Sequence, residues 1–153
     1  MKKLTWLLML VFCLIPAALL AQTNDQMQLT REAVKANKKL IVSKNMQLTE
    51  DEAKNFWPVY EEYQQDLRKL NEITGETIKD YAENYNSLSD EKAKSLLDQI
   101  ISIDEDRLKL QRSYVPKFSK VLPAKKVTRY YQVENKLLAI VKFELARGIP
   151  LVK

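Results

Sequence analysis

Apolar residues recur at steps of three and four along most of the chain, which is the period of an amphipathic α-helix and not of a β-strand. The clearest run follows Thr49 and keeps one apolar stripe on one helix face: Ala53, Phe56, Tyr60, Tyr63, Leu67, Leu70, Thr74, Ile78, Tyr81 and Tyr85. At 1.5 Å per residue the predicted helix that carries this stripe, 49–85, is roughly 54 Å long. The pattern therefore predicts long helices, each with a single apolar face.

Capping residues and the rare glycines and prolines divide this pattern into helices. Thr49 and Ser89 are placed to cap the N-termini of two helices, Pro123 fits the first turn of another, and Gly148 fits its end. The predicted helices cover about 25–43, 49–85, 89–121 and 123–147. The first has the least regular apolar pattern.

Two prolines, Pro58 and Pro116, fall inside predicted helices. An interior proline removes a backbone hydrogen bond and costs about 3 kcal/mol relative to alanine, so both positions are expected to be kinks or breaks. Alternatively, the third helix ends near Val115 and 116–121 forms a loop. Because long helices with one apolar face must pair lengthwise, the expected fold is all-α, with long bent antiparallel helices in a four-helix hairpin or a dimer that shares the stripes.

The first 21 residues have the features of a secretory signal: Lys2 and Lys3, an apolar stretch from Leu4 to Leu20, and Ala21 at the end. We expect this segment to be removed, which leaves a single helical domain over 22–153 in the periplasm or outside the cell. An uncleaved membrane anchor is the alternative, because the apolar stretch approaches the length of a membrane span.

The residues from Gln22 onwards contain neither histidine nor cysteine. Their absence excludes catalysis by a histidine-based triad or a thiol, as well as histidine or cysteine zinc sites. Glu72, Glu76 and Asp80 share one helix face and could hold a hard cation, but a solvated acidic face is the favoured interpretation. We therefore expect no enzyme activity, no cofactor and no metal.

Charge is segregated along the chain. The segment from Thr49 to Glu91 has twelve acidic and four basic residues, whereas Arg107 to Lys153 has twelve basic and two acidic ones. Either the acidic helix packs against the basic part, within one chain or across a dimer, or the protein presents two oppositely charged surfaces. Lys125 and Lys126 lie in the first turn of a helix, where the dipole disfavours cations, so an acidic neighbour is expected.

The segment Leu48-Thr49-Glu50-Asp51-Glu52 is a capping box, with Thr49 as the cap and Glu52 three residues later. It resembles the LTxxQ motif of the Spy/CpxP family of periplasmic proteins, with Glu52 in place of the glutamine. Leu88-Ser89-Asp90-Glu91-Lys92 and Leu122-Pro123-Ala124-Lys125-Lys126 are weaker echoes of it. The residues that carry the motif and the expected bend are structural: Leu48, Thr49, Glu52, Phe56, Trp57 and Pro58.

The resemblance covers about 44–147 and implies bent hairpins paired in a curved, cradle-like homodimer. It also implies an ATP-independent chaperone of envelope stress, or alternatively a regulatory adaptor or inhibitor of a stress or metal-response sensor without general chaperone activity. The expected partners are proteins, and we expect no stable membrane insertion once the signal is cleaved. Nucleic acid is not expected, because Tyr130 and Tyr131 fall on an apolar face and the chain is predicted to be exported. The candidate binding residues are Arg112, Lys117, Lys120, Lys125, Lys126 and Arg129.

Overall fold

The computed structural model describes residues 37–153, in which all regular secondary structure is helical. Helix α1 covers 37–46 of this range, and it is followed by α2 (Glu50–Asn84), a 3-10 turn (Tyr85–Ser87), α3 (Asp90–Ser119) and α4 (Ala124–Gly148). The all-α prediction is confirmed, and the three long helices begin and end within two residues of their predicted bounds. The predicted signal and the start of the first predicted helix lie outside the described residues.

The chain divides into two compact units, one up to Lys44 and the other Asn45–Lys153. Helices α2, α3 and α4 all belong to the second unit. The surfaces described below are formed by this second unit alone.

Two of the long helices begin with the caps that the sequence predicts. Before α2, the Thr49 hydroxyl accepts the Glu52 N–H at 3.3 Å, and the Glu52 carboxylate accepts the Thr49 N–H at 2.8 Å, which completes a capping box. Before α3, the Ser89 hydroxyl accepts the Lys92 N–H at 3.2 Å. Pro123 precedes α4 and has no polar side chain with which to cap it.

Neither interior proline breaks its helix. Helix α2 continues through Pro58, and α3 continues through Pro116 to Ser119, so neither site is a break and the alternative of a loop from 116 is wrong. The reason is tertiary packing, because buried aromatic side chains flank Pro116 at Tyr114 and Phe118. Burial of one such side chain contributes about 1.5–3 kcal/mol, so two offset the roughly 3 kcal/mol that proline costs in a helix. The expected kinks at both prolines stay a prediction.

Helices α2 and α3 form an antiparallel pair that is joined by polar contacts along its length. In order along α2, the contacts are Glu62 with Lys117, Asp66 with Tyr114, Asn71 with Arg107 and Asp80 with Lys92, at 2.6 to 3.0 Å. The residue numbers rise along α2 while they fall along α3. These contacts therefore fix the register of the predicted hairpin.

Helix α4 returns antiparallel to α3. The Tyr131 hydroxyl donates to the Gln111 carbonyl at 3.0 Å, and further along Lys142 donates to Asp104 at 3.0 Å. After α4 the chain contacts the far end of α2, where the Tyr81 hydroxyl donates to the Pro150 carbonyl at 2.9 Å. Helix α4 is thus held against the α2–α3 pair at both of its ends.

An aromatic core lies where α2 begins, α3 ends and α4 begins. Its ring centroids are 4.6 to 6.3 Å apart, within the usual range for aromatic pairs. Its members are Phe56, Tyr60 and Tyr63 from α2, Tyr114 and Phe118 from α3, and Tyr130 and Tyr131 from α4, all of which are buried. The prediction that Tyr130 and Tyr131 are core residues is confirmed.

Two polar side chains extend into this core, Gln64 from α2 and Glu134 from α4. The Gln64 amide donates to the Tyr130 hydroxyl at 3.2 Å and to the Glu134 carboxylate at 3.1 Å. Burial, with the nearby Glu134 charge, raises the pKa of Tyr63 to about 12 and raises the pKa of Tyr130 far above its usual range. Both hydroxyls therefore stay protonated at neutral pH.

The buried part of α4 ends at Glu134. From 135 to 148 the only residues that are even half-buried are Leu137 and Leu138, although this half of the helix is rich in apolar side chains. The first half of α4 therefore holds the fold together, and the second half presents its side chains to solvent.

Candidate protein-binding surface

One regular apolar feature outside the core is a row of side chains on α3, which we call the α3 stripe. It consists of Leu97, Ile101, Leu108 and Val115, which are 39 to 58% exposed. Their steps of four, seven and seven residues place them on one helix face. The stripe spans 18 residue steps, or about 27 Å at 1.5 Å per residue.

The α3 stripe is distinct from the face that α3 packs into the molecule. The buried residues of α3 are Leu96, Ile103, Tyr114 and Phe118. The helix therefore has two apolar faces, one buried in the bundle and one in contact with solvent. Asp104 and Gln111 lie between the members of the stripe and contact α4, so the stripe follows the edge of the α3–α4 contact. Exposed apolar side chains grouped on one face are typical of surfaces that bind another molecule.

This second face was not predicted from the sequence, because one apolar stripe was assumed for each helix. The signal was present in the doubled apolar positions Leu96-Leu97, Ile100-Ile101 and Tyr114-Val115. In each pair one residue faces the bundle more than its neighbour does, since Leu96 and Tyr114 are buried while Leu97 and Val115 are exposed. Doublets at helical spacing thus indicate two apolar faces.

Two of the six predicted cationic residues form ion pairs with acidic residues of α2. Lys117 pairs with Glu62 at 2.8 Å and lies over the Tyr114 ring at 4.1 Å. Lys126 pairs with Glu52 and donates to the Gln47 carbonyl at 3.0 Å. These contacts confirm that the acidic second helix packs against the basic part of the same chain.

The Glu52–Lys126 pair also compensates for the unfavourable effect of the helix dipole on Lys126 in the first turn of α4. The Lys126 ammonium, together with the Thr49 N–H, holds the pKa of the Glu52 carboxyl below its usual value. The expected acidic neighbour is therefore Glu52, the residue in the glutamine position of the resembled motif. One side chain thus caps α2 and ties the start of α4 to it.

The other four predicted cations remain exposed. Arg112, Lys120, Lys125 and Arg129 make no ion pair with any other residue between 37 and 153. Arg112 lies four residues after Leu108 and shares the face of the α3 stripe. Lys120 and Lys125 flank the turn from α3 to α4. The α3 stripe therefore has a cation within it and further cations beyond its C-terminal end.

The remaining predicted motif residues have structural positions. Phe56 is fully buried, with its ring centroid 5.6 Å from Phe118, and Trp57 packs edge-on to Phe56 at 5.0 Å. Leu48 is half-buried and Pro58 is exposed. These positions agree with the sequence-based assignment of the motif to helix initiation and packing.

The described residues contain no arrangement of three metal-binding side chains that could hold an ion. Of the acidic face considered from sequence, Glu72 and Glu76 are exposed, while Asp80 pairs with Lys92 at 2.6 Å and accepts from Asn84 at 2.9 Å. None of the helices within 37–153 combines the length and apolar character needed to cross a membrane.

The fold and this surface define an all-helical protein with an exposed apolar stripe and adjacent cations. No family model, curated protein or solved structure matches the chain.

Proposed function

We propose that this chain is an exported helical binding protein that holds unfolded or partner proteins without ATP, as its resemblance to the Spy/CpxP family implies. The observation that carries the proposal is the α3 stripe, with four large apolar side chains exposed along about 27 Å of helix. Apolar side chains of an unfolded protein gain free energy on contact with such a surface, at about 25 cal/mol per Å² of apolar area buried.

The form of the α3 stripe supports binding to client segments of varied sequence. The α3 stripe is a row on one helix, so it sets no fixed pocket shape for a ligand to match. Helical binding without nucleotide hydrolysis also agrees with the sequence, in which Gly75 and Gly148 are the only glycines and form no phosphate-binding loop.

The exposed cations mainly increase the rate at which clients are captured. Arg112, Lys120 and Lys125 attract acidic clients, and this attraction is screened by salt over a Debye length of about 8 Å at physiological ionic strength. We therefore expect capture to become slower as salt is added, while the apolar contacts of the α3 stripe persist.

The proposal includes the oligomeric state that the resemblance implies, a homodimer of bent hairpins in the form of a cradle. The mass of residues 22–153 in solution tests this directly. A dimer mass supports the cradle, and a strict monomer over the working concentration range rules it out.

The holding function is tested by suppression of client aggregation with residues 22–153. Replacement of Leu97 and Leu108 by serine should abolish most suppression, because it removes half of the α3 stripe. The matched control replaces Ile140 and Phe143 by serine, since these are equally exposed apolar residues on another helix. Both double variants should remain folded, as surface substitutions usually change stability by less than about 0.5 kcal/mol each.

Three results would overturn the chaperone proposal. These are no suppression by the unmodified chain, suppression no better than that of an inert basic helical protein, and equal activity of the α3 stripe variant and the unmodified chain. A pull-down that recovers one stoichiometric partner and no misfolded clients would instead support the regulatory adaptor.

A further inference from the structure

A second exposed surface lies on the back of α4 and has a different composition from the α3 stripe. It consists of Lys136, Ile140, Phe143 and Arg147, and we call it the α4 ridge. Steps of four, three and four residues place these side chains on one face. Ile140 is 62% exposed and Phe143 is 64% exposed, so two of the largest apolar side chains of α4 are in contact with solvent.

Most of the packed face of α4 lies opposite the α4 ridge. At 3.6 residues per turn, the buried residues Val127, Tyr130 and Glu134 are on the other side of the helix, and only Val133, one heptad before Ile140, is buried in line with the ridge. The helix itself is held in place, because Tyr131 bonds to α3 and the Pro150 carbonyl bonds to Tyr81. The helix that carries the ridge is therefore held near both of its ends.

The sequence of this segment has a net positive charge, although Lys142 pairs with Asp104 and Arg147 pairs with Glu144. Residues 136–153 contain four basic side chains, Lys136, Lys142, Arg147 and Lys153, and only one acidic side chain, Glu144. The same segment has an unusual number of exposed large apolar side chains: Ile140, Val141, Phe143, Leu145, Leu151 and Val152. A helix with these two properties is typical of proteins that lie in the headgroup region of a membrane.

We propose that the α4 ridge docks on the surface of a membrane that contains anionic phospholipid. Ile140 and Phe143 enter the boundary between headgroups and acyl chains, and Lys136 and Arg147 contact lipid phosphates at either end of this apolar pair. Long basic side chains reach the phosphates while their methylene groups stay in apolar surroundings. The charge of the segment complements the negative surface of the bilayer.

The composition of this segment favours a membrane over a protein partner, because its exposed apolar side chains are flanked by basic ones. A helix embeds such a face in a bilayer by displacing headgroups. The proposal is independent of client holding, which we place on the α3 stripe.

The test is flotation of residues 22–153 with lipid vesicles. Residues 1–21 are omitted because their apolar stretch would bind lipid by itself. We expect binding to vesicles of mixed phosphatidylglycerol and phosphatidylcholine, and little binding to phosphatidylcholine alone. Replacement of Ile140 and Phe143 by serine should lower the vesicle partition coefficient by about tenfold or more, because both apolar side chains lose their burial.

The charge contribution is tested separately with Lys136→Glu and Arg147→Glu in one chain, which should remove the preference for anionic vesicles. The matched control is the α3 stripe variant with serine at Leu97 and Leu108, which should float like the unmodified chain. Helical circular dichroism of each variant confirms that the fold is retained.

Absence of binding to anionic vesicles would overturn the proposal, as would equal flotation of the ridge variants and the unmodified chain. If the ridge variants lose aggregation suppression while no form floats, the α4 ridge binds protein and the lipid proposal is wrong. Loss of suppression in the α3 stripe variant alone bears on the proposed function and not on lipid binding.

Discussion

The aromatic core predicts a large difference between two phenylalanine residues of the same chain. Phe118 is fully buried and contacts rings from all three long helices, with centroids at 4.6 Å for Tyr130 and 5.6 Å for Phe56. Phe-to-Ala replacement in a packed core costs about 3–5 kcal/mol. Because Phe118 joins three helices, we expect Phe118→Ala to lie near the upper end, at about 4–5 kcal/mol.

Urea unfolding of residues 22–153, followed by circular dichroism, measures this loss. With a slope of about 2 kcal/mol per molar urea, the midpoint of Phe118→Ala should fall by about 2 M. The control is Phe143→Ala, the same chemical change at an exposed site, which should cost less than about 0.5 kcal/mol. The slope should be the same for both variants and the unmodified chain if each unfolds in one step.

Two results would refute this reasoning. A cost below about 1 kcal/mol for Phe118→Ala would mean that the three helices do not depend on the aromatic core. A cost for Phe143→Ala as large as that for Phe118→Ala would mean that Phe143 is covered in solution, and the α4 ridge would then not be a free surface.

Three further changes test local features of the fold by thermal or urea unfolding. Thr49→Ala should cost about 1 kcal/mol by loss of the α2 cap, whereas Thr128→Ala, at an exposed position within α4, should change stability by less than about 0.5 kcal/mol. Gly75→Ala should stabilise by about 0.5–1 kcal/mol, because Gly75 lies inside α2 and an added methyl group meets no atom within 4 Å; a destabilised variant would contradict this. The lowered pKa of Glu52 means that its pair with Lys126 stabilises the fold above the ordinary carboxyl value of 4.5, and that this stability is lost as the pH falls below that value. Lys126→Met should therefore make stability less dependent on pH below about 4.5, and an unchanged pH profile in that range would show that the pair contributes nothing.

Local signals in the sequence were sufficient for the helix starts. The capping box of Thr49 and Glu52 and the cap at Ser89 depend on residues three positions apart, so the sequence alone determines them. The prolines were harder to interpret. The cost of Pro116 is local, but the burial of Tyr114 and Phe118 that offsets it depends on α2 and α4, and the sequence does not show their positions.

The binding surface was predictable only in part. Charge segregation correctly indicated that the acidic helix packs against the basic part of the chain. It did not indicate which cations form ion pairs with that helix. Lys117 and Lys126 are occupied because the helix registers place them beside Glu62 and Glu52, 55 and 74 residues away along the chain. Such registers depend on how whole helices pack together. The α3 stripe was missed for a different reason, since two apolar faces on one helix were interpreted as one.

The position of Trp57 gives the molecule a built-in optical reporter. It is the only tryptophan after residue 21, and its ring lies 5.2 Å from Tyr60 and 5.0 Å from Phe56, beside the tyrosines of the aromatic core. The rate of energy transfer from tyrosine to tryptophan falls with the sixth power of distance. Tyr60 is beside Trp57 on the same helix in any case, whereas Tyr130 contacts Phe56 and Tyr60 only when α4 is docked. A fall in the tyrosine-excited share of tryptophan fluorescence therefore reports undocking of α4 without any label.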